Sequence, residues 1–371
     1  AVAATVGWTE GTDEGGSIDG YLFFQIAQEL CENWDSCGND GQSIINTNLM
    51  NYFKTGQQAL KNGQCEDAKS SQANIEKLLQ AILIDNLAYH AKFTDISNSE
   101  EVHCLMAYVA RNALVPLIRK NTEETNVWGS TIENNIAVSS KPECSVSDVE
   151  AVYDVLKYYV EDQGIDCAWL GSSVCDGESN PVDSVGYEDN ADYTIKAEDD
   201  GHTLLNGEYE PLTEVRNVQD ISTKVNAICT SASSIAAQNI YAMDNTAGIT
   251  IQDMSLTGKY VMKDELQFNQ YIFGLKDSVD KTAGTFLFDS KPASDYANTI
   301  VSDAMDTTVA LGCRAIKVLN IWMWIVHKLN TMVDECKNPT KDLNNMGMID
   351  EAAALWEGSQ LFAMAESNGP L

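Results

Sequence analysis

The chain has 371 residues with 55 acidic and 23 basic side chains, so its formal net charge is −32 with neutral histidines. Apolar residues make up 44% and charged residues 21%, a globular composition that excludes collagen-like and intrinsically disordered classes. The charge makes DNA and anionic lipid poor partners, since binding them would bring like charges together.

Apolar residues at three- and four-residue steps predict a mostly α-helical fold. The clearest set is Ile75, Leu78, Leu79, Ile82 and Tyr89. In the first half, helices are expected at about 20–33, 43–61, 66–92, 100–119 and 149–161. Ser147 and Glu150 stand at capping-box spacing before the last of these helices. A polar stretch at 121–143 is predicted to be a loop.

The second half opens with a long acidic loop expected at 176–210, in which Lys196 is the single lysine. Helices are then predicted at about 211–243, 263–279 and 294–336, and the one candidate hairpin lies at 247–260. The most hydrophobic stretch, Val309–Val326, contains Arg314 and Lys317. Because both charges would be costly in lipid, this stretch is predicted to be a core helix and not a membrane span.

Three tryptophans with nearby glycines, Trp8, Trp169 and Trp356, suggest an internal repeat. The segment after Trp356 contains Leu361 and Phe362, which echo the Leu-Phe pair that follows Trp8. We therefore expect two diverged helical units in tandem, at 1–166 and 167–349, and the start of a third at 350–371. This last segment is a candidate exchange tail that binds a neighbouring copy head to tail, and the alternative is a boundary inside a longer array. The five aromatic and aliphatic residues named here are the candidate interaction residues.

The ten cysteines show no CxxC motif and no zinc-finger spacing, so they favour about five structural disulfides in an oxidising compartment. They are Cys31, Cys37, Cys65, Cys104, Cys144, Cys167, Cys175, Cys229, Cys313 and Cys336. Two pairs, Cys31/Cys37 and Cys167/Cys175, are close enough to close short loops, and the other pairings stay open. No signal sequence opens the chain, so we expect it to begin after a removed signal or inside a longer protein.

The first half resembles secreted, repeat-containing proteins of diatoms and related marine algae. The likeness rests on residues 20–27, on Cys31-Glu32-Asn33-Trp34-Asp35-Ser36-Cys37, and on the stretches 63–68, 86–90 and 164–168. It covers about residues 1–175 and does not extend to the second half. The resemblance implies an extracellular or cell-surface setting and brings no catalytic residues with it.

Candidate binding residues are few, because the chain has four histidines. His90 and His103, on consecutive helices, form a partial metal site if Asp85 or Asp95 lies near, and the alternative is a pair of helical histidines without a ligand. His327 beside Trp322 and Trp324 suits a haem-like pocket or an ordinary core.

The acidic loop offers a second kind of cation site. Asp176-x-Glu178-x-Asn180 begins like a calcium loop, but Pro181 stands where an EF-hand needs glycine. We therefore expect the acidic loop to bind Ca²⁺ only loosely.

Motifs for nucleophilic, phosphate-binding or zinc-protease chemistry are missing from the sequence. The expected function is therefore a secreted structural or adhesive protein of an algal cell surface that assembles with itself. The alternative is an extracellular metal or small-ligand carrier, and an enzyme of unknown class comes third.

Overall fold

The structure is a computed structural model that describes residues 23–39, 41–96, 100–118, 123–140, 143–170, 174–175, 221, 223–243, 250–254, 287–288, 291–292, 296–337 and 345–357. The fold within these ranges is mostly helical, as the sequence predicts. Its α-helices are α1 Phe23–Asn33, α2 Ile44–Lys61, α3 Cys65–Ile96, α4 Glu100–Ile118, α5 Glu123–Asn135, α6 Val149–Gln163, α7 Ser234–Tyr241, α8 Tyr296–Thr307, α9 Val309–Ile316, α10 Trp322–Cys336 and α11 Asn345–Glu357.

Two short antiparallel hairpins accompany the helices. Strands β1 (Ile136–Ser140) and β2 (Glu143–Val146) pair with Ile136 opposite Val146, and β3 (Leu287–Phe288) pairs with β4 (Lys291–Pro292). The expectation of a loop at 121–143 is wrong, because α5 and β1 occupy most of it. Ile132 and Ile136 lie four residues apart and are both fully buried, an apolar spacing that the many polar neighbours obscured.

The predicted hairpin at 247–260 is not seen in its described part, where Gln252–Met254 forms a 3-10 turn. The predicted helix at 263–279 and the acidic loop at 176–210 lie outside the described residues. Helix α6 begins as expected, but its cap is Asp148 and not Ser147, since the Asp148 carboxylate accepts a hydrogen bond from the backbone N–H of Ala151. It ends at Gly164, whose φ of 58° is a left-handed conformation that suits glycine.

The long helix predicted at 294–336 is broken once. Thr308 has an extended backbone, and its hydroxyl accepts a hydrogen bond from the N–H of Leu311, so the residue ends α8 and caps α9. From α9 the helix continues into α10 through a π turn, Lys317–Ile321. The run Val309–Cys336 is the one stretch of the described chain that is long and apolar enough to cross a membrane, and 83% of its most apolar window is buried inside the protein. It packs as a core helix.

One hydrophobic core joins helices from α1 to α11, on both sides of the predicted unit boundary at residue 166. Helix α3 runs through this core and contacts α1, α2, α4, α6 and α10. The division into units at 166 and 349 stays a prediction about the sequence repeat. Within the described residues, the two predicted units do not have separate cores.

Helix α11, which contains the described part of the candidate exchange tail (350–357), packs on α1, α2 and α10 of its own chain. Trp356 is fully buried, with its ring 5.5 Å from those of both Phe24 and Phe53. At the other side of α11, Glu351 forms an ion pair with Lys328 of α10 at 2.8 Å. Trp356 therefore belongs to this chain's core, which differs from the expectation that it offers a surface to a neighbour.

All ten cysteines form disulfides, as predicted: Cys31–Cys37, Cys65–Cys336, Cys104–Cys144, Cys167–Cys175 and Cys229–Cys313. The two short loops suggested by spacing are confirmed. The other three bridges join elements far apart in sequence, and Cys65–Cys336 links the first residue of α3 to the last residue of α10. These bridges hold the helices together in addition to the apolar core.

Candidate functional site

The α3–α4 hairpin brings His90 and His103 together. The helices run side by side, and the two Nδ1 atoms lie 3.0 Å apart. His90 is near the end of α3 and His103 is in the first turn of α4, so the short connection between these helices places both rings at the same end of the hairpin. The sequence-based expectation that the two histidines meet is therefore confirmed.

Aromatic neighbours surround both imidazoles. His103 stacks on Phe93 with ring centroids 4.9 Å apart, and His90 meets Tyr89 edge-on at 5.0 Å. Tyr89 also contacts Trp34 of the loop that follows α1. Both histidines are half-buried. The rings are thus packed on their apolar sides while part of each side chain reaches solvent.

The Nδ1–Nδ1 contact requires one proton between the two rings. One nitrogen donates and the other accepts, because two Nδ1–H groups would repel each other at 3.0 Å. Burial lowers the pKa of His90 well below its usual value, and the charge of Arg314 and then His103 lower it further. His90 is therefore neutral at physiological pH.

Arg314 reaches the same region from α9. Its guanidinium forms an ion pair with Glu29 of α1 at 3.1 Å and donates a second hydrogen bond to the Asn86 side-chain oxygen at 2.6 Å. Asn86 precedes His90 by one turn on α3. The arginine thus joins three helices, and Glu29 compensates its charge.

Lys317 lies one turn after Arg314, at the start of the π turn, and is 6% exposed. Burial and then Arg314 lower the pKa of Lys317 to about 8, and Glu29 acts in the opposite direction. A π turn and a buried lysine with a shifted pKa are both features that occur often at functional sites. The sequence shows these two cations inside an apolar helix, but we used them only to argue against a membrane span.

A third metal ligand does not join the histidine pair among the residues that the structure describes, where groups of three or more candidate ligands are missing. Asp85 is buried, at 2% exposure, and the side chain of Asp95 lies outside the described set. Asp176 and Glu178, the candidate calcium ligands, are also outside it. Within the described residues, the site is therefore a pair of nitrogen ligands.

His327 lies apart from this pair, on α10. Its ring is 5.0 Å from Trp324, and its Nδ1 lies 3.4 Å from the Thr331 hydroxyl. Burial and then Lys328 lower the pKa of His327 to about 4. Trp322 and Trp324 are buried in the helical core, and the Trp324 indole N–H donates to Glu351 at 3.3 Å. These contacts match the core interpretation of the aromatic stripe better than the haem-like one.

The other candidate interaction residues are scattered or undescribed. Trp169 is half-buried in the 3-10 turn Cys167–Trp169, whereas Trp356 is helical, so the two described tryptophan signatures differ in local structure. Trp8, Leu361 and Phe362 lie outside the described residues. Exposed apolar side chains that we did not predict include Tyr158, whose ring lies nearly parallel to that of Trp128 at 6.1 Å.

Comparison with known proteins adds no relative: no family model, no curated protein and no solved structure matches this chain.

Proposed function

We propose that this protein is a secreted structural or interaction component of an algal cell surface, and that it assembles with copies of itself. The observation that carries the proposal is the pairing of all ten cysteines into five disulfides. Structural disulfides persist in oxidising, extracellular settings and are rare in the cytosol. The resemblance of the first half to secreted algal proteins supports the same setting.

The surface charge, the disulfide bridges and the shared core are the properties expected of a stable protein in saline surroundings. A net charge of −32 destabilises a compact state through self-repulsion, and this cost falls as salt screens the charges, with a Debye length of roughly 3 Å at 1 M. The bridges and the shared core oppose the remaining repulsion. A catalytic function finds less support, since the described histidines pack against apolar neighbours.

The segment after α11 is the proposed contact between copies. Helix α11 itself is committed to its own core, so a test must leave it in place. A variant that ends at Glu357 keeps every described residue of α11 but lacks Leu361 and Phe362. We expect the full chain to form head-to-tail assemblies in electron micrographs and in sedimentation at seawater salt, and the shortened variant to remain monomeric.

The double variant Leu361→Ser, Phe362→Ser is the matched control of full length, and it should behave as the shortened chain does. Dispersed monomers in all three samples contradict self-assembly. Peptide mapping of native material without reduction tests the extracellular setting separately, because free thiols there would contradict a disulfide-linked protein.

A further inference from the structure

The region around the histidine pair could bind a metal ion through the imidazoles, bind an anion through Arg314, or use Lys317 as a reactive amine. Its charge and geometry favour the metal ion. Lys317 and Arg314 both have acidic or amide neighbours, whereas the two imidazoles present nitrogen atoms to each other. Imidazole nitrogen is a preferred ligand of divalent late transition metals. Each side chain of the pair keeps part of its surface exposed to solvent.

The distance between the nitrogens suits two neighbouring positions around one ion. Metal–imidazole bonds are about 2.0–2.1 Å long, so two nitrogens 3.0 Å apart subtend an angle of roughly 90–97° at a common ion. This angle is that of neighbouring positions in square-planar or tetragonal geometry, which Cu²⁺ adopts. A tetrahedral ion such as Zn²⁺ would place the nitrogens about 3.3–3.4 Å apart. Cu²⁺ also stands highest in the general order of divalent affinities.

We propose that His90 and His103 form an open two-nitrogen site for Cu²⁺, bound through both Nδ1 atoms. Binding forms two Cu–N bonds and displaces two water ligands from the ion, and the proton between the rings moves through solvent to the Nε2 atom of the ring that carried it. An ion about 2.0–2.1 Å from both Nδ1 atoms lies beside the line that joins them, so each ring turns until its lone pair points at the ion. Among the described residues, the two imidazoles are the protein ligands of this site.

Charged groups around the site permit a cation. Arg314 of α9 is the positive group at this site; its ion pair with Glu29 of α1 offsets part of its charge, and the remainder lowers the pKa of His90. Lys317 follows it on the π turn, and Asp85 lies on α3 itself. The net charge of −32 raises the local concentration of cations. This inference does not depend on self-assembly.

The test is titration of the full chain with CuCl₂ at pH 7.4, followed by calorimetry and electron paramagnetic resonance, with excess Ca²⁺ present to occupy surface carboxylates. We expect one tight Cu²⁺ per chain and a spectrum with coupling to two imidazole nitrogens. His90→Gln and His103→Gln should each weaken binding about tenfold or more. His327→Gln, a control on a distant half-buried histidine, should bind as the wild type does.

Near-ultraviolet circular dichroism identifies a variant that has failed to fold, and the second histidine variant then provides the comparison. Copper binding that is equal in the wild type and in both folded pair variants overturns the proposal. A wild-type spectrum with oxygen ligands alone also overturns it, and the pair then holds a shared proton only.

Discussion

At the scale of single residues, Lys317 is an ammonium group held inside the protein at 6% exposure. Its pKa falls from 10.5 to about 8 because burial disfavours the charged form and Arg314 repels it. Between these two pH values the unfolded chain binds a proton that the folded chain does not bind. Raising the pH through this range therefore favours the folded state.

We expect the free energy of unfolding of the wild type to rise by about 2 kcal/mol between pH 8 and 9.5 relative to Lys317→Met, since one pH unit in this window corresponds to about 1.4 kcal/mol. Urea unfolding at several pH values measures the difference. The control variant Lys61→Met changes an exposed lysine, and its free energy of unfolding should vary with pH as that of the wild type does. Equal slopes in Lys317→Met and the wild type would show that the lysine titrates normally.

At the scale of elements, α11 approaches α2 at Gly56. A methyl group at this position would lie 2.8 Å from Ile349 Cδ1 of α11 and 3.1 Å from Ser71 Cβ of α3. Both distances are too short for an unstrained contact, and Ile349 is buried with little space to move. The glycine therefore permits the close packing of three helices.

Gly56→Ala should lower the free energy of unfolding by about 1–3 kcal/mol through overpacking, even though alanine has a higher intrinsic helix propensity than glycine. Ile349→Val removes the atom at 2.8 Å, so the double variant should lose less stability than the sum of the two single variants. Chemical denaturation of all four proteins measures the coupling. Additive losses would mean that the helices adjust freely around the new methyl group.

Sequence reasoning predicted the elements with strong apolar periods and missed those whose signal depends on a few residues. Helices α1 to α4 and α6 follow their predicted ranges closely, because each has an apolar face several turns long. The break at Thr308 depends on one hydroxyl that caps α9, and the helical start of α5 lies among polar residues. Hydrophobic periodicity does not reveal such short signals, because the surrounding residues dominate the pattern.

The histidine pair was predictable because consecutive helices joined by a short connection must form a hairpin. The contacts of Arg314 with Glu29 and Asn86 span more than 200 residues of sequence, so spacing contains no sign of them. They arise from the way in which α9 packs against α1 and α3. Local patterns thus identify partners within a hairpin, and the assembled core determines the rest.

At the scale of the whole molecule, the bridges should differ in what they contribute. Cys65–Cys336 joins residues 271 apart, and Cys31–Cys37 joins residues 6 apart. In the chain-entropy view, a bridge stabilises more when it closes a longer loop of the unfolded chain. Removing Cys65–Cys336 as a serine pair should cost about 5–6 kcal/mol, against about 2 kcal/mol for the same change at Cys31–Cys37.

Guanidinium unfolding of both variants, with the other four bridges verified by mass spectrometry, checks this order. A smaller loss for the long bridge would indicate that the remaining bridges already restrict the unfolded chain. The comparison needs no knowledge of function.

The bridge between α3 and α10 also decides how the molecule carries tension. A pull on the two ends of the chain passes from Cys65 directly to Cys336 through a covalent bond, so the residues between them bear none of the load. Three other bridges close shorter loops inside this segment, so opening Cys65–Cys336 alone frees about 140 residues, or roughly 460–500 Å at about 3.3–3.6 Å per residue. Such a molecule resists stretching like a short tether in an oxidising medium, and its reach grows about two- to threefold where a reductant opens that one bond.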